Sequence, residues 1–307
     1  IPAGHLLGAA NIIVHAVENG VEKSIAFTGD LGRNDYPLLV DPQGIPNVDY
    51  LVCESTYGNR NHTDEGNPED LLEDIIARTC VDKPGRLIIP AFSVGRTQSL
   101  LFTLNKLSIE RRLPSIRVFA DSPMAEQSTL IYQNHVGYMN EDARKFSEVN
   151  EGLFDFDNLI CTSGHAESKA ISNYNQPSII IASSGMLTGG RMNYHIRKNM
   201  GNPYCSIMFI GYCAEGTPGH QLTQNKTLRV QGRDIPVDAK ILHTDIYSGH
   251  ADCRDLTRFI KGINKTQLKK IFLVHGDYES MKGLSQILHT DGYAVEIPEK
   301  GQQYVLI

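Results

Sequence analysis

Histidine and carboxylate, the residue types that bind divalent metals and move protons, recur in this sequence in one local setting. His5 stands in AGHLLGAA, Asp30 in FTGDLGR, Glu54 in ESTYG and His275 in LVHGDY, each inside a Gly-containing loop or just past an apolar run. At the carboxyl end of a strand such side chains converge on a ligand without filling the core. Imidazole and carboxylate suit Zn²⁺, Mn²⁺ or Fe²⁺, and no cysteine is spaced to join them. His250, in YSGHADC, is a fifth group of this kind, at the entry to a helix-like stretch. Taken singly, each has an ordinary reading: a hydrogen-bonded structural histidine, or an aspartate that caps a turn. Their order along the chain is what carries information.

The elements that must position these groups alternate between two textures. The first stretch reads as β-structure: a strand at 11–17, the Asn19-Gly20 hairpin signal, a return strand at 23–28, and a short apolar strand at 49–54 ending on Glu54. From Asn67-Pro68, an N-cap followed by proline at the first helical position, apolar strands alternate with helices. Strands are expected at 86–91, 116–120, 158–162, 178–183 and 204–211. Continuous apolar strands separated by helices imply a parallel sheet buried on both faces. The last stretch returns to hairpins around Gly232, with a helix near 252–263, a strand at 269–276, a helix to about His289, and closing strands YAVEI and QYVLI.

Composition bounds the answer without choosing it. The 307 residues are 41% hydrophobic, 21% charged and 7% aromatic, a globular balance that excludes disorder. A net charge of -6 offers no global basic field, so contact with nucleic acid would need local cationic sites. No apolar run approaches the ~18 residues that span a bilayer. The six cysteines, without a CxxC pair, read as reduced thiols of a cytoplasmic protein.

In sequence order, AGHLLGAA, FTGDLGR, ESTYGNR, SGHAD and LVHGD resemble successive motifs of the metallo-β-lactamase-fold nucleases of the β-CASP group. PAFSVGRTQ (90–98), IIIASSGMLTGGR (179–191) and GYCAEGT (211–217) add to the likeness. The resemblance implies an α/β chain: a partial metallo-β-lactamase αββα sandwich with an inserted doubly wound parallel β-CASP domain. The outer domain would comprise 1–61 and 218–307, and the insert 62–217. It implies His5, Asp30 and His275 as metal ligands, Asp30 bridging two zinc ions, with Mn²⁺ or Fe²⁺ as alternatives. His250 would be the general acid and Glu54 its partner. Arg96, Ser184, Gly185 and Arg191, in loops that follow apolar strands, would bind RNA phosphates.

The implied activity is metal-dependent hydrolysis of single-stranded RNA, endonucleolytic or also 5′ exonucleolytic, by a protein that is not membrane-bound and admits a homodimer. The family's HxHxDH motif, which would precede His5, is absent from these residues. The expectation is therefore a piece of a longer protein, with an incomplete metal site and inactive alone. Two other readings stand beside it: a non-catalytic RNA-binding scaffold subunit, and a small-molecule metallo-hydrolase of the same outer fold.

Overall fold

The computed structural model describes residues 1–62, 66–150, 152–230 and 232–306. The chain divides into two compact units, Ile1–His62 with Gly249–Ile307, and Thr63–Ser248. Numbered along the chain, the strands are β1 (Ile12–Glu18), β2 (Val21–Phe27), β3 (Tyr50–Glu54), β4 (Arg86–Pro90), β5 (Arg117–Asp121), β6 (Leu159–Cys161), β7 (Ser178–Ala182), β8 (Ser206–Phe209), β9 (Thr227–Val230), β10 (Arg233–Pro236), β11 (Lys240–His243), β12 (Lys270–Val274) and β13 (Val295–Glu296).

The first unit is built on a sheet of order β1-β2-β3-β12-β13. β1 and β2 form an antiparallel hairpin in register from Ile12↔Phe27 to Glu18↔Val21. Asn19 and Gly20 both take positive φ there, 52° and 79°, which the two-residue turn requires. From β2 onward the neighbours run parallel, so β2, β3 and β12 deliver their carboxyl ends to one edge of the sheet. Leu51, Cys53, Ile271 and Leu273 fill the core with Leu256 and Ile260 of helix Cys253–Lys261 and Leu284 and Leu288 of helix Tyr278–Thr290. Each helix presents an i, i+4 apolar pair to the sheet, and each opens on an aspartate cap, Asp252 and Asp277. Of the two expected closing strands, only β13 forms. Residues 302–306 make no strand: Tyr304 packs on Phe272, 4.8 Å between ring centroids, while Val305 is 88% exposed, and Ile307 of the QYVLI segment lies outside the described residues.

The second unit holds a six-stranded sheet of order β11-β8-β4-β7-β5-β6, parallel throughout. β7 and β8 are buried at every position and β4 at all but its first, the signature of a sheet covered on both faces. From β4 the chain passes beyond the place later filled by β7 to reach β5, whereas β8 lies on the other side of β4. The order therefore reverses between β4 and β8. The unit continues past residue 217 to Ser248 because β11 returns to pair with β8, after the small hairpin of β9 and β10. At the unit's first helix, Pro68–Ile76, the Asn67 side chain accepts from the amides of Glu69 and Asp70. All six cysteines are free thiols, five of them buried. Among the described residues, no helix is long and apolar enough to cross a membrane.

At the end of β5 the buried carboxylate of Asp121 gathers four donors. Thr162 and Ser168 hydroxyls, His195 Nε2 and Arg191 Nη1 each approach it at 2.6 Å. Burial alone would raise its pKa, but these bonds outweigh that and hold the carboxyl well below the usual carboxylate range. A group whose pKa is depressed by folding stabilises the protein above its unfolded pKa, about 3.9, and loses that contribution as pH falls below it. The second unit is accordingly expected to lose stability steeply below about pH 4. Asp121→Asn should flatten that acid limb in urea titrations followed by circular dichroism across the same pH range. An unchanged acid dependence in the variant would remove Asp121 from the explanation.

Candidate functional site

The parallel ends of β2, β3 and β12 bring together groups that lie far apart in sequence. Glu54 is the last residue of β3 and sits opposite Val274 of β12; His275 follows at once, and Asp30 lies in the loop that leaves β2. Glu54 is 1% exposed, so its charge has to be satisfied internally. Its Oε1 accepts from Leu31 N at 2.8 Å and from His250 Nδ1 at 3.1 Å, and its Oε2 accepts from Thr56 N at 3.0 Å. Burial pushes the Glu54 pKa up, but the bond to His250, that ring's charge and the Thr56 donor outweigh it and leave the carboxyl below its ordinary value. An ionised carboxylate on Nδ1 leaves the Nε2 of His250 as the nitrogen free for chemistry.

His5 is oriented by the same logic. Its Nδ1 donates to the carbonyl of Gly249 at 3.0 Å, which turns Nε2 toward Asp30 Oδ2 at 3.7 Å. Burial, and then the neighbouring His250, lower the His5 pKa and favour the neutral ring that a metal requires. The other Asp30 oxygen, Oδ1, faces His275 Nδ1 at 3.2 Å. His275 adopts a positive φ of 51° as the chain turns off β12, and the Thr56 hydroxyl donates to its carbonyl at 3.1 Å. Ring centroids separate His5 from His250 by 4.3 Å, and His250 from His275 by 5.9 Å. Ligand atoms of His5, Asp30 and His250 all fall within 4.8 Å of one another, close enough to share one cation. This all nitrogen-and-oxygen donor set fits zinc or manganese. The five sequence-derived residues of this unit are thus neighbours, with His250 in reach of His5 and Asp30 as well as of Glu54.

Glycines allow the loops to meet this closely. Gly32 N donates to Ala3 O at 2.7 Å, and a side chain at 32 would lie 2.3 Å from the Gly4 carbonyl. A side chain at Gly276 would lie 2.5 Å from Ser55 O, where the ends of β3 and β12 abut.

Several supporting groups escape a reading of sequence alone. His62 donates through Nε2 to the His250 carbonyl at 2.9 Å, and its ring stands edge-on to the fully buried Tyr57, 4.7 Å between centroids. Asp252 accepts from His62 N, and Thr28 Oγ1 accepts from Glu54 N. Thr56, two residues past Glu54, carried a signal, since a backbone donor at that spacing closes on a carboxylate. Asp121 also carried one: it follows an apolar run just as Asp30 and Glu54 do.

The expected phosphate-binding residues of the second unit are engaged internally. Arg191 pairs with Asp121, donates to Thr162 O at 3.1 Å, and contacts Ser163 O. Arg96 is largely buried and donates to Ile210 O at 3.3 Å. The Ser184 hydroxyl accepts from Thr188 N at 3.0 Å, closing the loop that contains Gly185. These guanidiniums brace the carboxyl end of the sheet rather than stand free in solvent.

Two family models match the chain: a Beta-Casp domain over residues 97–222, and a Zn-dependent metallo-hydrolase RNA specificity domain over 234–298. A ribonuclease of Thermus thermophilus is 29% identical over 98% of this chain and 67% of its own length. The transcription termination factor FttA of Thermococcus kodakarensis is 32% identical over 94% of this chain, which spans 45% of that factor. An endoribonuclease of Yarrowia lipolytica is 29% identical over 93% of this chain and 34% of its own length.

The close approach at Gly32 yields a direct test. Gly32→Ala is expected to destabilise the protein by about 1–3 kcal/mol, the usual cost of overpacking, and to weaken zinc binding by displacing the His5 loop. Gly44→Ala, where a side chain meets nothing within 4 Å, should stay within about 0.5 kcal/mol. Urea unfolding and zinc titration of both variants check this, and equal behaviour would show that the contact does not position the site.

Proposed function

The chain belongs to the β-CASP group of metallo-β-lactamase-fold nucleases, and from that premise we propose that it is a metal-dependent ribonuclease cutting RNA chains internally. The observation that carries the reading is the split of one carboxylate between two imidazoles: Asp30 Oδ2 faces His5 and Oδ1 faces His275. His5, Asp30 and His275 would be the residues of this chain that hold the metal ions. A pair of such ions activates water and offsets the negative charge that gathers on the phosphate. Zinc commonly takes four ligands. The occupied site therefore needs donors beyond His5, Asp30 and His275, from solvent, substrate or polypeptide outside these residues.

The chain's own residues supply the proton. The 3′ oxygen released from a phosphodiester leaves poorly unless protonated, and imidazole titrates near pH 6.5. His250 holds Nδ1 against Glu54, which fixes the ring and leaves Nε2 to donate to the departing oxygen. Glu54 is a positioning residue: buried and bonded to Leu31 N and Thr56 N, it stays ionised and keeps the ring from rotating.

His250→Ala in the intact protein, extended upstream of His5, is expected to lower RNA cleavage by roughly 10²–10⁴-fold, the usual cost of losing a general acid, while bound zinc is unchanged. A 5′-labelled single-stranded RNA incubated with Zn²⁺ or Mn²⁺ measures the first quantity, and metal analysis of the same preparations the second. A parallel fall in zinc and activity would make His250 a ligand, a role for which its place beside His5 and Asp30 also qualifies it.

A further inference from the structure

Phe92 is an aromatic ring held in the open by a rigid loop. It lies just past β4, at the carboxyl end of the parallel sheet and beside the reversal of strand order between β4 and β8, the position where open α/β sheets bind ligands. It remains 36% exposed, as does Val94 two residues on. Looseness does not account for that exposure. The Phe92 carbonyl accepts from Thr97 N at 3.3 Å and from Thr97 Oγ1 at 2.8 Å. Gln98, itself fully buried, accepts from Gly95 N at 2.7 Å and donates to Ser93 O at 3.2 Å. Every turn of the loop is thus tied to the start of helix Arg96–Ile109.

The ring also has a cation fixed against it. Arg96 Cζ lies 5.4 Å from the Phe92 ring centroid, and Nη1 is anchored on Ile210 O at the end of β8. Room for this guanidinium depends on Gly211, where a side chain would come within 2.1 Å of Nη1. Gly185 borders the ring on another side, where a Cβ would stand 3.4 Å from Phe92 Cδ2, at ordinary contact distance. In the segment after neighbouring β7, Tyr194 shows a related arrangement, 38% exposed with Lys198 Nζ 5.9 Å from its ring. A rigid, half-open aromatic with an immobilised cation beside it is the arrangement on which unpaired nucleobases stack, whatever their identity.

We propose that Phe92, with Arg96 fixed against its ring, is a stacking platform for one base of single-stranded RNA. The proposal rests on the ribonuclease reading above and adds a contact to the base rather than to the phosphate. Arg96 acts as a positioning residue: its charge polarises and orients the ring instead of meeting a phosphate.

The test is binding of a 5′-fluorescein oligouridylate to this chain by fluorescence anisotropy, in EDTA so that no cleavage competes. A second strand carries an abasic backbone of the same length. Phe92→Ala is expected to weaken binding of the base-bearing strand roughly 5- to 150-fold, the loss of one stacked base, and to leave the abasic strand unaffected. Phe92→Leu, which retains most of the apolar volume and so protects the fold, should show a comparable loss, and Phe92→Tyr should bind like the wild type. Equal binding of the oligouridylate by wild type and Phe92→Leu would overturn the platform while leaving the ribonuclease reading intact, and so would an equal loss on both strands. A wild-type chain that binds neither strand would remove the ribonuclease reading and the platform with it.

Discussion

A single carboxylate that cannot reach water organises the first unit. Glu54 is sealed at the end of a central strand, and a buried charge is tolerated only when its lone pairs are filled. The groups that fill them come from three separate segments: the amide of Leu31 after β2, the amide of Thr56 after β3, and the ring of His250 before helix Cys253–Lys261. Removing any one would leave this buried charge short of a donor. The demand for satisfaction of Glu54 is thus also what brings Asp30, next to Leu31, and His250 into one place. Structure and chemistry share the same bonds here, and a substitution at Glu54 would disturb both.

Parallel strands make such a meeting economical. β2, β3 and β12 point the same way, so the residues leaving them emerge side by side without any long loop reaching across. Glycines at 32 and 276 then remove the side chains that would hold the emerging backbones apart. In the second unit Gly211 does the same for a side chain rather than a backbone, giving the Arg96 guanidinium its place. Both units thus use the carboxyl ends of parallel strands. One fills that edge with groups suited to metal binding and proton transfer, the other with buried ion pairs and an open aromatic.

Much of this was legible from residue order. The alternation of apolar runs with helix signals foretold the parallel sheet, because strands buried on both faces have no polar positions to alternate. The Asn19-Gly20 turn and the Asn67-Pro68 cap were readable because they depend on local backbone geometry alone. The cluster of His5, Asp30, Glu54, His250 and His275 was recognisable by motif, whereas its geometry was not. Nothing local says that His5 would be turned by the Gly249 carbonyl, or that His250 would stand within reach of His5 and Asp30 as well as of Glu54. Arg96 and Arg191 mark the limit most clearly. Their sequence setting suggests phosphate, and only the fold supplies Asp121 and the Ile210 carbonyl that engage them. Residues 302–306 mark a lesser limit: apolar alternation suggested a strand, yet Tyr304 meets Phe272 through its ring without backbone pairing.

The first unit's assembly from both ends of the chain fixes when its site can come into being. Glu54 and His250 are 196 residues apart, and the whole of the second unit is synthesised between them. That intervening stretch is continuous and carries its own sheet, so it can fold while the ribosome is still making the remainder. β3, by contrast, must wait for β12, and Glu54 waits with it, its carboxylate hydrated until the segment from Gly249 onward emerges. Closing so long a loop is slow, since its entropy is spent before any contact repays it. The histidines and carboxylates of the first unit therefore come together only after the second unit has been made.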